Sequence, residues 1–236
     1  MSLSKYHQKR NFGVTPEPKG SGKAAKSKSA LIYVIQKHRA TQLHYDLRLE
    51  WNGVLLSWAV PKGPSLDPSV KRLAMQVEDH PKEYATFEGV IPENEYGGGT
   101  VMVWDIGTWT PEQTDPQAAL EKGDLKFTLH GKKLHGSFVL VRTRGFGGGG
   151  GGKSWLLIKH RDQYASDKDI TLEAPRSVVS RRLLAGIAKD NGGDVARAAT
   201  GDPAPQAKPA APVSATTSKS KAGSKLQKVK RKSAGA

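Results

Sequence analysis

Short strand-like segments separated by tight turns constrain the fold of this chain more than any other feature. Eight such segments, rich in Val, Ile, Leu, Thr, Tyr and Trp, cover residues 31–37, 43–51, 54–60, 72–79, 100–105, 124–130, 137–142 and 154–160. These residue types favour β-strands, and Asn52-Gly53 between the second and third segments is a strong hairpin signal. We therefore predict a mainly β fold, a compact antiparallel β-barrel of about eight strands, because closure removes exposed sheet edges.

Helices play a small part in this prediction. Residues 115–122 begin with an aspartate that can cap a helix and a proline that suits its first turn, and a glycine follows them. A second helix is predicted over 177–188, where apolar residues recur at helical spacing. We expect only a few short helices beside the barrel.

Positive charge is concentrated at the two ends of the chain. The chain has 37 Lys and Arg residues, 22 Asp and Glu residues and a net charge of +15. Seven of the basic residues lie in 1–30 and eight in 200–236, and each end has a single acidic residue. A cationic tail of this composition favours disorder and binding to polyanions, most often nucleic acid. The alternative is that the tail only increases solubility.

These patterns divide the chain into four predicted regions. They are a flexible basic arm over 1–30 that contributes to the site, the barrel over 31–165, a helical extension over 166–199 and a disordered Lys/Ala/Pro-rich tail over 200–236. The absence of cysteine excludes disulfides, a cysteine nucleophile and thiolate metal sites. Apolar runs are too short for a transmembrane helix or a secretory signal, so we expect a cytoplasmic protein with no membrane contact.

One glycine-rich segment imitates a nucleotide-binding motif. Residues 147–154 read GGGGGGKS, which matches the phosphate-binding loop pattern. That loop works only when a helix follows it, whereas the next residues here, WLLI, favour a strand. We therefore interpret this segment as a flexible hairpin loop.

A polar strand face is the first candidate site. On the predicted strand 43–51, His44, Asp46 and Arg48 alternate with apolar residues and therefore share one face. Histidine and aspartate side chains can bind a divalent metal, and an adjacent arginine can bind a phosphate oxygen. The alternative for a single His-x-Asp pair is a structural hydrogen bond.

The segment 72–84 gives a second polar face. If 72–79 is one strand, its alternate residues form a polar side and an apolar side. The polar side would carry Arg72, Gln76, Glu78 and His80, and the apolar side Leu73, Met75 and Val77. Pro81 ends the strand beside His80, and Tyr84 follows within reach of the same place. Two such strands together favour a functional site over a structural hydrogen bond.

Five motifs in order resemble one family. They are QKHRATQLHYDLRLE at 36–50, SWAVPKGPS at 57–65, VEDHPKEY at 77–84, FEGVIPENEYGGGTV at 87–101 and WLLIKHRDQYA at 155–165. All resemble the 3′-phosphoesterase domain of bacterial DNA ligase D, over residues 6–165. The resemblance implies a β-barrel with an active site in a polar groove, and a manganese-dependent activity that other divalent metals can also support.

The resemblance also implies a substrate and two steps. A 3′-terminal ribonucleoside is removed from the primer strand of a primer–template, and the remaining 3′-phosphate is hydrolysed to a 3′-hydroxyl for repair and end joining. We therefore expect DNA 3′ ends as partners, with a DNA ligase and an end-binding protein acting in trans, and a monomer associated with the nucleoid. Two alternatives stay open, a non-catalytic DNA-end-binding module and a phosphatase of small molecules.

The resemblance assigns roles to individual residues. Metal ligands fall on His38, His44 and Asp46. Catalytic groups fall on Arg48, His80 and Tyr84. Accessory or substrate-binding positions fall on Arg10, Glu17, Lys62, Arg72 and Glu78.

Two departures from the family pattern are visible. The family usually has Arg-Asp-Phe in the amino-terminal arm, where this chain has Asn11 in place of the aspartate, so one of the two steps is expected to be less efficient. The chain also has no Lys-x-Asp-Gly nucleotidyl-transfer motif and no room for a ligase or polymerase domain. We expect a stand-alone phosphoesterase.

Overall fold

The computed structural model describes residues 2–20, 30–143 and 152–204. Its strands are β1 Leu31–Arg39, β2 Leu43–Trp51, β3 Val54–Val60, β4 Lys71–Gln76, β5 His80–Pro81, β6 Gly89–Ile91, β7 Gly99–Pro111, β8 Asp124–Gly131, β9 His135–Arg142 and β10 Ser154–Lys159. Its α-helices are α1 Ser4–Gln8, α2 Pro116–Lys122, α3 Ile170–Glu173, α4 Leu184–Asp190 and α5 Val195–Ala199, with a 3-10 helix over Lys82–Thr86. The predicted loop before β10 and the predicted tail from residue 205 onward lie outside the described residues.

Eight strands close into a ring. Neighbouring strands pair in the order β1, β2, β3, β4, β10, β9, β8, β7, and β7 pairs back with β1. Every one of these pairings is antiparallel, while β5 adds to β3 and β6 adds to β7 outside the ring. The prediction of a mainly β, antiparallel barrel of about eight strands is therefore confirmed.

The barrel interior is packed with large aromatic and aliphatic side chains. Tyr45, Leu47 and Leu49 of β2 point into this core, as their alternation with polar residues predicted. Four tryptophans are almost completely buried there: Trp58, Trp104, Trp109 and Trp155. Rings of this size each remove a large apolar area from water, so the interior is a filled core.

The predicted hairpin between β2 and β3 is present. Asn52 and Gly53 have φ angles of 49° and 82°, both in the left-handed region that a two-residue type I′ turn requires. Because this turn fixes the register, Arg48 of β2 lies opposite Ser57 of β3. The hairpin thereby holds the polar residues of β2 in a defined position.

The helices agree with the sequence analysis in one case and differ in the other. Helix α2 begins after Asp115, whose carboxylate accepts a hydrogen bond from the Ala118 amide at 2.9 Å. The helix predicted over 177–188 is wrong in its first half, because α4 begins only at Leu184. The Ser177 hydroxyl accepts hydrogen bonds from the Val179 and Ser180 amides, a local turn that competes with a helix. No helix in the described part of the chain is long and apolar enough to span a membrane.

The structure of strand β4 contradicts the predicted second polar face. The strand ends at Gln76, so residues 72–79 are not one strand. Its inward residue is Ala74, which is fully buried, while Leu73 is 43% exposed. Gln76 also turns inward, since its side-chain oxygen accepts a hydrogen bond from the Trp155 indole at 3.2 Å. His80 reaches the outer face from a separate strand, β5, opposite Leu55 of β3.

Helix α4 is capped by a residue distant in sequence. The carboxylate of Asp202 accepts hydrogen bonds from the Leu184 and Ala185 amides, both at 2.9 Å, although composition predicted this residue to lie in the disordered tail. We expect Asp202→Ala to lower the free energy of unfolding by about 0.5–2 kcal/mol, the usual cost of losing a helix cap. Urea denaturation measures this change. Asp202→Asn is the control and should lose less, and equal losses in the two variants would contradict the capping role.

Candidate metal centre and catalytic pocket

The candidate site lies on the outer face of the barrel. Because Tyr45, Leu47 and Leu49 point inward, the residues between them on β2 point outward. The pairing of β1 with β2 places His38 directly opposite His44, and Gln36 opposite Asp46. The antiparallel register therefore brings together two histidines that belong to different strands.

Three of these side chains form a cluster with the geometry of a metal site. Asp46 Oδ2 lies 3.7 Å from His38 Nδ1 and 3.6 Å from His44 Nε2. The three ligand atoms all lie within 4.8 Å of one another. Two ligand atoms that each lie about 2.1 Å from one ion are at most about 4.2 Å apart. Both distances to Asp46 therefore allow a shared ion. The distance between the ligand nitrogens of His38 and His44 is at most 4.8 Å, so it needs only a small movement.

The hydrogen bonds around the histidines also suit a metal. His44 Nδ1 donates to the Gln42 carbonyl oxygen at 3.1 Å, which leaves Nε2 unprotonated and facing the cluster in the neutral ring. His38 Nε2 is buried and has no hydrogen-bond partner among the described residues. A buried nitrogen without a partner is costly, and a cation bound through this nitrogen instead of Nδ1 would remove that cost.

The pKa shifts in the cluster favour the protonation states in which these side chains can bind a metal. Burial raises the pKa of Asp46, but Arg48 and the two histidines outweigh this effect and hold the pKa well below its ordinary value. Burial lowers the pKa of His38, which keeps that ring neutral. Burial also lowers the pKa of His44, but the hydrogen bond and charge of Asp46 outweigh it and raise the pKa above its ordinary value. A proton therefore competes with a metal mainly at His44.

Arg48 connects the metal cluster to His80. The guanidinium group is buried and donates to Gln36 Oε1 at 2.8 Å and to Asp46 Oδ2 at 3.1 Å. Its third nitrogen lies 2.9 Å from His80 Nδ1. The hydrogen bonds to Gln36 and Asp46 hold the guanidinium plane in one orientation, which is what binding a phosphate through two parallel hydrogen bonds requires.

His80 lies between two guanidinium groups. Its Nδ1 lies 2.9 Å from the Glu78 carbonyl oxygen, to which it can donate, and its Nε2 lies 3.2 Å from Arg10 Nη2. Burial lowers the pKa of His80, and the charges of Arg48 and Arg10 lower it further, to well below its ordinary value. The imidazole is therefore neutral at neutral pH in the free protein.

The amino-terminal arm forms one wall of the site. Arg10 donates to Glu17 at 2.9 Å and to Glu78 at 3.1 Å, and both carboxylates are almost fully buried. The Tyr84 hydroxyl donates to the same Glu17 oxygen at 2.8 Å. Burial raises the pKa of Tyr84, and the neighbouring Glu17 raises it further, so the phenol stays protonated. Beneath this network Tyr6 packs its ring against His80.

These groups surround one cavity of about 330 Å³. Eight of the eleven residues assigned from the resemblance line it: Arg10, His38, His44, Asp46, Arg48, Glu78, His80 and Tyr84. Glu17 stands behind the wall and is bonded to Arg10 and Tyr84. Lys62 is exposed in the turn after β3, and Arg72 lies on β4, so the structure does not bring these two residues to the cavity.

Some residues of the site were not anticipated. Gln36 bonds Arg48 and also donates to the Tyr84 and Phe87 carbonyl oxygens at 3.0 and 2.9 Å. Its spacing of two residues from His38 on β1 was a signal that could have identified it. Tyr96, which lines the cavity from the loop between β6 and β7, had no comparable signal.

Asn11, the departure from the family pattern, lies outside the cavity lining. Its side chain is exposed, and Oδ1 accepts a hydrogen bond from the Gly13 amide at 3.1 Å. Its carbonyl oxygen accepts from the Val14 and Thr15 amides. Asparagine and aspartate make this kind of turn equally well, so the substitution preserves the local loop conformation.

Comparison with known proteins identifies relatives of this chain. The family described as DNA Ligase D 3′-phosphoesterase domain matches residues 36–142. The multifunctional non-homologous end joining protein LigD of Pseudomonas aeruginosa is 52% identical over 185 residues, which cover 77% of this chain and 22% of that protein. The multifunctional non-homologous end joining DNA repair protein LigD of Mycobacterium tuberculosis is 46% identical over 163 residues, 68% of this chain and 20% of that protein.

The chain thus spans about a fifth of the length of these relatives. The matched residues 36–142 include His38, His44, Asp46, Arg48, His80 and Tyr84. Arg10 and Glu17, which complete the wall of the cavity, lie before the matched segment. On these grounds, residues 36–142 of this chain form a phosphoesterase domain like that of DNA ligase D.

Proposed function

We propose that this protein is a divalent-metal-dependent hydrolase that processes DNA 3′ ends in non-homologous end joining. One observation carries the proposal: the His38, His44 and Asp46 cluster lies in the same cavity as Arg48 and His80. A metal site beside a fixed guanidinium group is suited to a phosphate ester. The names of the relatives, which refer to non-homologous end joining, support DNA ends as the substrate class.

The proposed reaction has two steps. The protein first cleaves the phosphodiester that joins a 3′-terminal ribonucleoside to the primer strand of a primer–template. It then hydrolyses the resulting 3′-phosphomonoester and leaves a 3′-hydroxyl. Mn²⁺ is the proposed metal, because the resemblance to the family implies it and the carboxylate of Asp46 is a ligand type that suits this ion, and both steps use the same cavity.

The residues of the cavity have distinct proposed roles. His38, His44 and Asp46 would hold the cation, which, when bound, would polarise a phosphate oxygen and activate a water molecule. Arg48 binds the non-bridging phosphate oxygens and stabilises the charge that develops on them. Gln36 and Asp46 orient the Arg48 guanidinium group through their hydrogen bonds. Tyr84 and Glu17 position Arg10 from the other side.

His80 is proposed to donate a proton to the leaving oxygen. In the free protein the two neighbouring guanidinium groups keep the imidazole neutral. An anionic phosphate bound between Arg48 and Arg10 would offset their charges and raise the pKa of His80. Protonation of the imidazole is thereby linked to substrate binding, and His80 acts as a general acid only in the complex.

The cellular setting is also part of the proposal. The protein acts as a monomer in the cytoplasm, associated with the nucleoid through its basic ends. A DNA ligase and an end-binding protein act in trans on the healed 3′ end. The charge distribution supports the contact with DNA, because basic residues outnumber acidic ones seven to one in 1–30.

The deciding experiment uses a primer–template whose primer ends in one ribonucleotide. With Mn²⁺, a sequencing gel should show shortening to a 3′-phosphate and then to a 3′-hydroxyl. Chelator and the His44→Ala variant should both abolish the reaction. Accumulation of the 3′-phosphate would show that the second step is impaired, and Asn11→Asp would then test its cause.

The same experiment distinguishes an enzyme from a non-catalytic DNA-binding module. A native gel run in parallel reports whether the DNA is bound. DNA that is bound but stays uncut with every divalent metal would refute the catalytic proposal and favour a non-catalytic DNA-end-binding module.

A further inference from the structure

A second cavity, of about 400 Å³, adjoins the catalytic cavity. The two share Val77, Glu78 and Tyr96 in their linings, so they are direct neighbours. The rest of the second lining is formed by Lys5, Lys9, Gln76 and Lys153. Here these three lysines and Tyr96 are called the lysine groove.

The lysine groove has a net positive charge. Lys5 and Lys9 are four residues apart on and just after α1, so they lie on the same side of that helix. Lys9 is paired with Glu78 at 3.0 Å. Among the described residues, no carboxylate lies within ion-pair distance of Lys5 or Lys153. Two ammonium groups therefore have no direct ion pair, although the charge of Lys5 also acts on the carboxylate of Asp79.

Tyr96 adds an aromatic surface to the groove. Its side chain is 49% exposed, yet it is held in place, since its hydroxyl oxygen accepts a hydrogen bond from Lys9 Nζ at 2.9 Å. The same ammonium group lies 4.2 Å from the centre of the ring. Lysines beside a fixed aromatic ring are the combination with which proteins bind single-stranded nucleic acid, through phosphate contacts and base stacking.

A third cavity, next to the catalytic cavity on the side of Ile91, differs in charge. Its lining contains two arginines and two carboxylates, and Arg197 and Glu93 form an ion pair at 3.1 Å. Its charges therefore balance, and it offers a polyanion no net attraction. A DNA strand could leave the catalytic cavity toward either neighbouring cavity, and the difference in charge favours the lysine groove.

We propose that the lysine groove binds the DNA strand on the 5′ side of the reacting 3′ end. Lys5 and Lys153 contact the phosphates of that strand, and a base of its end that is unpaired from the template stacks on Tyr96. The inference rests on the proposed function, because it places the reacting phosphate in the adjoining catalytic cavity. It adds a direction to the substrate, since the strand enters along the groove and its 3′ end lies at the metal cluster.

The test measures binding of 5′-fluorescein oligothymidylates of two and eight nucleotides with 3′-hydroxyl ends, which lack the terminal ribonucleoside and the 3′-phosphate that the two proposed steps remove. Fluorescence anisotropy is recorded with the full chain, in the presence of Mn²⁺, over a range of salt concentrations. For the octamer, Lys5→Ala/Lys153→Ala should weaken binding and lower the slope of log K against log salt by about 1.4, because two phosphate contacts are lost. Tyr96→Ala should weaken binding about 5- to 150-fold, the range for one stacked base.

Matched variants make the test specific. Lys126→Ala removes an exposed lysine from β8, on the opposite side of the barrel from β3, and should leave binding unchanged. Tyr96→Phe keeps the ring and should retain most of the affinity that Tyr96→Ala loses. The loss of affinity in the groove variants should be larger for the octamer than for the dinucleotide, because only the octamer fills the groove.

The outcomes separate this inference from the proposed function. Equal salt slopes for the wild type and Lys5→Ala/Lys153→Ala, or equal losses in that variant and Lys126→Ala, would overturn the lysine groove. Failure of the wild type to bind the octamer would also overturn it. If the wild type cleaves the primer–template but its DNA binding does not depend on the groove residues, only the lysine-groove proposal is refuted. If DNA binding depends on the groove residues but no cleavage occurs, only the phosphoesterase proposal is refuted.

Discussion

Replacing Asp46 with alanine is expected to abolish Mn²⁺ binding and to lower the rate of 3′-end cleavage by about 10³-fold or more. Asp46 Oδ2 is the oxygen that lies within 3.7 Å of both histidines. Without it, two neutral imidazoles remain as ligands beside the charge of Arg48, which repels a cation. The loss of rate follows because a bound metal ion contributes several kcal/mol of charge stabilisation to a phosphoryl-transfer transition state.

Isothermal titration calorimetry with Mn²⁺ and the primer–template assay measure the two effects of Asp46→Ala. Asp46→Asn is a second variant that preserves size and leaves an oxygen for the Arg48 hydrogen bond, so lost metal binding in it cannot be assigned to a disturbed Arg48. Asp167→Ala removes an exposed carboxylate in the loop before α3 and serves as the control. Unchanged Mn²⁺ binding in both Asp46 variants would refute the assignment of this residue as a ligand.

The fold could be predicted well where the signals are local. Strands β2 and β3 begin and end at the predicted residues, because inward and outward side chains alternate without interruption and Asn52-Gly53 fixes the turn. Strand β4 was predicted with the wrong face inward. Its interior neighbours are Trp58 and Trp155, whose rings lie 5.9 Å apart. Two tryptophans leave room only for the small Ala74, so the larger Leu73 points outward.

The site could be predicted only in part from the residues themselves. The alternation on β2 places His44, Asp46 and Arg48 on one face, because those three share a strand. His38 joins them through the register of β1 with β2, which depends on pairing between separate strands. The resemblance to a known family indicated His38 in advance, whereas periodicity did not.

The contribution of the arm depends on contacts between distant parts of the chain. The ion pair of Arg10 with Glu78 joins residues 68 positions apart, and the bond of Tyr84 with Glu17 joins residues 67 positions apart. The arm has no alternating pattern that would predict where it packs. Its only two aromatic side chains are Tyr6 and Phe12, in an otherwise polar segment, so composition indicated a flexible extension. Packing of the arm against β5 and the 3-10 helix could be found only in three dimensions.

The second large effect is expected at His80. His80→Ala should lower the rate of cleavage by about 10²- to 10⁴-fold, the usual contribution of a general acid, while Mn²⁺ binding is preserved. Binding of the metal is preserved because His80 contacts Arg48, Arg10 and the Glu78 carbonyl group, and it is not one of the three clustered ligands. Metal binding and catalysis should therefore separate in this variant, whereas they are lost together in Asp46→Ala.

The leaving group provides the sharper measurement for His80. If the imidazole donates a proton to the leaving oxygen, a substrate whose leaving group needs no proton, such as a 3′-(4-nitrophenyl) phosphodiester, should be cleaved by His80→Ala with a much smaller loss of rate. His80→Gln keeps a polar side chain beside Arg48 and Arg10 and tests whether the buried site tolerates the change, and His130→Ala removes an exposed histidine of β8 as the control. An equal loss of rate with both leaving groups would contradict proton donation and would leave His80 only the role of positioning Arg48.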